Sequence, residues 1–206
     1  DEDESTEGDF PESGRVMLAV LATVFFGAII YGRFIETEQL TLEAEQNGDG
    51  AKLAAILVFA FIVRVICSLV FYGHPTDINC FMAWGYHLNE GGLAAFYNSG
   101  MFADYPPGYM YVLYITSGIA KLLGLSYASA AYALITKMPG ILADIVSAYV
   151  VYRLAKKLAK SGCRDAARWG RLPLVLTAVV AISPLFAFLS GGWGQIDQVL
   201  ALMLLL

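Results

Sequence analysis

The chain has 206 residues, of which 58% are apolar and only 15% charged, and its mean hydropathy is +0.61. Soluble domains average roughly 45–50% apolar and about 25% charged residues, so the composition excludes an ordinary soluble domain and describes an integral membrane protein. The formal net charge of −5 is unevenly spread: acid crowds into residues 1–14, while residues 153–171 hold seven Lys or Arg against one Asp, a pattern of a cytoplasmic loop rather than of a nucleic-acid surface.

Residues 1–14 read as an acidic tail that lacks the basic flank of a cleavable secretory signal. Val16–Tyr31 is uncharged over 16 residues, a little short of the roughly 20 that cross a bilayer core. It is expected to be a first span, in an N-terminal unit 15–52 that ends as an acidic loop. Residues 53–206 form the main transmembrane module. Leu53–Tyr72 is a full-length span carrying one charge, Arg64. A polar island follows, from Gly73 to Gly108. Within it Thr76–Glu90 is predicted to be an amphipathic helix, because Ile78, Phe81, Met82, Gly85 and Leu88 recur at helical spacing. Gly91-Gly92 ends it, and Leu93–Asn98 forms a second short piece.

Two topologies suit residues 107–152. In one, Pro107–Leu123 and Tyr127–Tyr152 both cross, which separates the polar islands across the membrane. In the other, 107–125 dips in and returns, 127–152 crosses once, and both islands share a face. Seven cations in 153–171 favour the cytoplasm and decide for the second, with 73–126 as a large external loop. Leu172–Ser190 is a further span with a kink expected at Pro184. The second island is Gly191-Gly192-Trp193-Gly194-Gln195-Ile196-Asp197, and Ile196–Leu206 begins another span. Ending inside an apolar run, the chain is expected to be part of something longer. The predicted fold is an all-α, polytopic transmembrane helix bundle with an external loop of interfacial helices.

The candidate chemistry lies in the islands. Asp77, at a helix start, is either an N-cap, for which Asp is a preferred residue, or a general base at the membrane face. Asp104-Tyr105-Pro106-Pro107-Gly108 is a good turn and helix start, and its two prolines would also hold a carboxylate and a phenol in fixed places. Trp193 reads as an interfacial anchor and Asp197 as a cap, while Gln195 and Asp197 could equally bind sugar or headgroup hydroxyls. Lys137 and Asp144, seven residues apart on one helix face, are expected to pair, since intramembrane charges normally do; Lys137 could instead meet a phosphate. Arg64 is either a packing partner or a phosphate ligand. His74 and His87 read as interfacial polar residues. Cys67, Cys80 and Cys163 are odd in number and match no redox or metal spacing, so no disulfide is expected. No His, Cys or carboxylate cluster has metal-ligand spacing, and no nucleotide motif is present; neither metal nor cofactor is implied.

In order, Gly73-X-Pro75-X-Asp77, Phe81-X-X-Trp84, Phe96-Tyr97, Phe102-Ala103-Asp104-Tyr105-Pro106-Pro107-Gly108-Tyr109, Lys137-Met138-Pro139 with Asp144, and Ser183-Pro184 leading to Trp193-Gly194-Gln195-Ile196-Asp197 resemble the GT-C superfamily of membrane glycosyltransferases. The pattern covers about residues 53–206 and is most similar to bacterial proteins resembling the GPI-anchor mannosyltransferases; the N-glycan glucosyltransferases of the endoplasmic reticulum carry a related Asp-Tyr-Pro-Pro segment. The resemblance implies a polyprenyl-phosphate-linked sugar donor, a glycan, lipid or protein acceptor, and transfer on the external face of a bacterial cell membrane. It implies Asp77 as the base that deprotonates the acceptor hydroxyl. It places Asp104 and Tyr105 in a loop motif beside the site and Gln195 and Asp197 in a further family motif; with Trp84, Lys137 and Arg64 these are the candidates for substrate binding, and no nucleic-acid partner is expected. Members of the superfamily have about twice as many spans, so further C-terminal helices or another subunit would complete the donor pocket.

Overall fold

The computed structural model describes residues 49–97, 100–160 and 171–206. The acidic tail, the expected span Val16–Tyr31, most of the acidic loop after it and Cys163 lie outside these residues. Within them the chain forms α1 (Asp49–Val70), α2 (Pro75–Gly91), the single turn α3 (Leu93–Phe96), α4 (Pro107–Leu122), α5 (Ala130–Lys160), α6 (Leu172–Ile182), the short α7 (Pro184–Ala187), a π-helical turn (Phe188–Trp193) and α8 (Asp197–Leu205). No strand occurs among the described residues. The fold is all-α, as the sequence leads one to expect.

Among the described residues, three stretches are long and apolar enough to cross a membrane: Asp49–Val70, Ala130–Leu158 and Leu172–Trp193. This is a membrane protein. The spans pack through small residues. Ala60 of α1, Ala148 of α5 and Ala181 of α6 form one buried cluster, each at most 1% exposed, which lets the backbones approach closely where lipid supplies no hydrophobic drive. Outward, α1 presents Phe59, Ile62, Ile66 and Leu69, the apolar face a span offers to lipid. The third stretch is broken where the kink was expected. Ser183, with ψ 114°, leaves the helical region, as residues preceding proline do.

The first island folds on itself beside the spans. The expected apolar stripe of α2 is observed: Ile78, Phe81, Met82, Gly85 and Leu88 are all buried. Packed on it is α4, at 16 residues shorter than the roughly 20 a crossing requires. The two helices touch at Gly85, where a Cβ would fall 2.9 Å from the Ser117 side chain and 3.0 Å from the Leu113 carbonyl oxygen. Phe81, Trp84, Phe96, Tyr109, Met110 and Leu113 close the core of this layer, and Ile196 of the second island packs against it.

Candidate active site

Gly73 turns the chain from α1 into α2 with φ +121°, a conformation other residues adopt only under strain; a Cβ there would also lie 2.9 Å from the carbonyl oxygen of Trp193. The His74 N–H donates to that same carbonyl at 3.0 Å. Pro75 then opens α2 and places Asp77 in its first turn. The cap reading of Asp77 fails, since no side chain caps this helix. Its carboxylate instead reaches the other island: Oδ2 accepts Trp193 Nε1 at 2.9 Å and Gln195 Nε2 at 2.7 Å. The His74 ring stacks on the Trp193 indole, 5.0 Å between centroids and 8° from parallel, and its Nδ1 lies 3.5 Å from the same Oδ2. All three neighbours converge on one oxygen. Among the described residues no donor bonds Oδ1, and the Asp77 side chain keeps 29% of its surface open.

The second island is shaped to make these contacts. The π-helical turn closes at Gly194, in the left-handed region at φ +90°, and the N–H groups of Gly194 and Gln195 both donate to the Leu189 carbonyl at 3.0 and 2.9 Å. Gly191 lies against the Arg64 backbone, where a Cβ would be 2.5 Å from the carbonyl oxygen. The hydrogen bond between Asp77 and Gln195 excludes the topology that separated the islands across the membrane.

Further acids bear on the neighbouring phenol and thiol. Burial raises the Tyr105 phenol above its usual range, and the negative charges of Asp77, Asp197 and Asp104 add to the rise. Burial likewise pushes the Cys80 thiol up, with Asp104 and then Asp77 contributing. Burial dominates at Tyr109 too, which is raised still further. Asp104 and Asp197 are exposed, and Asp197 opens α8 in its first turn rather than capping it. Tyr105 meets Phe81 edge-on at 5.2 Å. Gln195, offered by the sequence as a ligand for substrate hydroxyls, spends its amide N–H on Asp77.

Three expectations change. Trp84 is 3% exposed in the aromatic core, and its Nε1 donates to the Phe102 carbonyl at 2.8 Å; it fixes the loop that carries Asp104 and offers no surface to a ligand. Arg64 is 1% exposed and gives its donors to Asp144 Oδ2 at 2.9 Å and to the carbonyls of Ala60 and Ala181 at 3.1 and 2.7 Å. It is the packing partner of the two alternatives, not a phosphate ligand. Lys137 does not pair with Asp144, whose Oδ2 instead takes Arg64 Nε and, at 2.7 Å, Ser190 Oγ. Its ammonium is held by the carbonyls of Phe71 at 2.7 Å, Gly191 at 3.1 Å and Gly192 at 3.4 Å, and at 2% exposure it does not face an open pocket.

Sequence reasoning read His74 only as an interfacial polar residue. The three-residue spacing to Asp77 on a helix start was the available signal, but the ring's stacking partner lies 119 positions later and has no local mark. Among the described residues no group of three His, Cys, Asp or Glu side chains is placed to hold a metal ion. No family model, curated protein or solved structure matches the chain.

Proposed function

We propose that this chain is, or belongs to, an integral membrane glycosyltransferase that moves a hexose, mannose-like, from a polyprenyl-phosphate donor to an acceptor hydroxyl, with Asp77 as general base. The observation that carries the reading is the Asp77 carboxylate, with Oδ2 fixed by Trp193 and Gln195 and Oδ1 left unbonded and accessible. A base needs that combination of rigid orientation and a free lone pair. The acceptor O–H would give its proton to Oδ1 as its oxygen bonds to the anomeric carbon. The bond from that carbon to the phosphate oxygen breaks, and the phosphate departs with the electron pair. Phosphate leaves readily, so one carboxylate suffices. Asp104, Tyr105 and Asp197 are candidates for the sugar hydroxyls. Arg153, Lys156 and Lys157 lie toward the far end of α5 from Lys137, roughly 24–30 Å on at 1.5 Å per residue; a cytoplasmic basic end would put the Asp77 end outside. Helices beyond this chain, or a partner subunit, would complete the lipid pocket.

Membranes carrying the protein, incubated with a labelled polyprenyl-phosphate hexose, test this. Wild type should transfer label to an acceptor, and Asp77→Asn should abolish transfer while the protein remains inserted and folded. Near-normal turnover in that variant would refute the assignment. The interrupted third span and the buried charges of Arg64 and Lys137 also suit a transporter, where broken helices line a path. Label that crosses a sealed vesicle without changing its covalent carrier would favour that second reading.

A further inference from the structure

Lys137 is the least expected group in the molecule: an ammonium 2% exposed, whose bonded partners among the described residues are all backbone carbonyls. The positions of those carbonyls explain how it can be there. Phe71 follows directly on the last residue of α1, and Gly191 and Gly192 belong to the last residues of the π-helical turn. Helix C-termini leave carbonyls without intrahelical donors and carry partial negative charge. Two such ends meet at Lys137 Nζ, so one cation satisfies both. The same junction contains the start of α2, a positive helix end, and there the acid Asp77 sits in the first turn. Gly194, between the two donors to Asp77, rests on the lysine stem: a Cβ there would lie 3.3 Å from both Lys137 Cγ and Cε.

We infer that Lys137 is a positioning residue, which pins the end of α1 to the π-helical turn and thereby aims Trp193 and Gln195 at Asp77. It touches the last turn before Trp193 through Gly191 and Gly192, and the residue after it through Gly194. Without the ammonium, the carbonyls of two helix ends face one another with no donor between them. The turn then moves away from α1, and both N–H donors leave Oδ2. The geometric statement stands alone; its catalytic consequence rests on the reading of Asp77 as the base.

The test uses the full chain in lipid nanodiscs, with the indole N–H groups observed by 15N-tryptophan NMR and the Trp193 resonance assigned with Trp193→Phe. In Lys137→Met the Trp193 resonance should shift toward its position in Asp77→Ala, where the acceptor is absent, while the Trp84 resonance, set by the Phe102 carbonyl, stays in place. An unmoved Trp193 resonance overturns the inference. Should Trp84 move as well, Lys137→Gln, neutral but still a donor, is read in the same way; if Trp84 moves there too, Lys137 is a general folding element and the inference falls. In transfer assays Lys137→Met should lower kcat roughly 10- to 100-fold, the cost of a misplaced catalytic group, with KM for the donor unchanged; a raised KM at unchanged kcat would mark a phosphate ligand instead. If Asp77→Asn still transfers sugar, the functional reading fails while the indole shift still decides the placement.

Discussion

Asp144 Oδ2 receives both Arg64 Nε and Ser190 Oγ, so one oxygen ties α1 to α5 and to the π-helical turn. Removing one member of a buried pair leaves an uncompensated charge. Asp144→Ala is expected to cost roughly 3–5 kcal/mol, whereas Arg64→Met with Asp144→Leu, which removes both charges, should recover most of that loss. Unfolding of the detergent-solubilised protein measures both, and equal losses in the single and double variants would contradict the pairing. At this scale the sequence was half legible. That Arg64, Lys137 and Asp144 are charges requiring partners follows from their apolar surroundings. Which partner each takes does not, because Asp144 bonds a residue 80 positions earlier and Lys137 bonds carbonyls, which have no side-chain identity to read.

Among the helices, α2 was readable because its buried stripe repeats at 3.6 residues, and the break before Pro184 was readable because proline disfavours helix in the residue before it. The π-helical turn was not. An i to i+5 turn uses the same residues as an α-turn, and here its form is set from outside, by Arg64 against Gly191 and by Lys137 on the carbonyls beside it. The approach of α5 was equally hidden. Gly140, beside Pro139 in α5, has a tertiary role as a contact: a Cβ there would stand 2.9 Å from the Gln195 carbonyl oxygen. Gly→Ala inside a helix ordinarily stabilises by about 1 kcal/mol. Gly140→Ala should do the reverse, lowering the melting temperature and reducing transfer by displacing Gln195 from Asp77. A variant as active and at least as stable as wild type would show that the contact relaxes without effect.

For the whole molecule, the sequence offered two topologies, and the hydrogen bond between Asp77 and Gln195 keeps the two islands together. Their common face can be established with single-cysteine variants. In intact cells an impermeant maleimide should label Cys80, beside Asp77, but not a cysteine introduced by Lys157→Cys at the far end of α5; the opposite pattern would invert the orientation. The reaction needs the thiolate, and burial with two nearby carboxylates raises the Cys80 thiol. Labelling should therefore be slow near neutrality and accelerate with rising pH, and Asp104→Asn, by removing one negative charge, should quicken it by roughly twofold. The distance along the chain between Asp77 and its donors, 116 and 118 residues, also sets a schedule for biosynthesis. A ribosome delivers Asp77 long before Trp193 and Gln195, so a nascent chain is inserted and threaded through lipid before this hydrogen-bonded cluster can assemble.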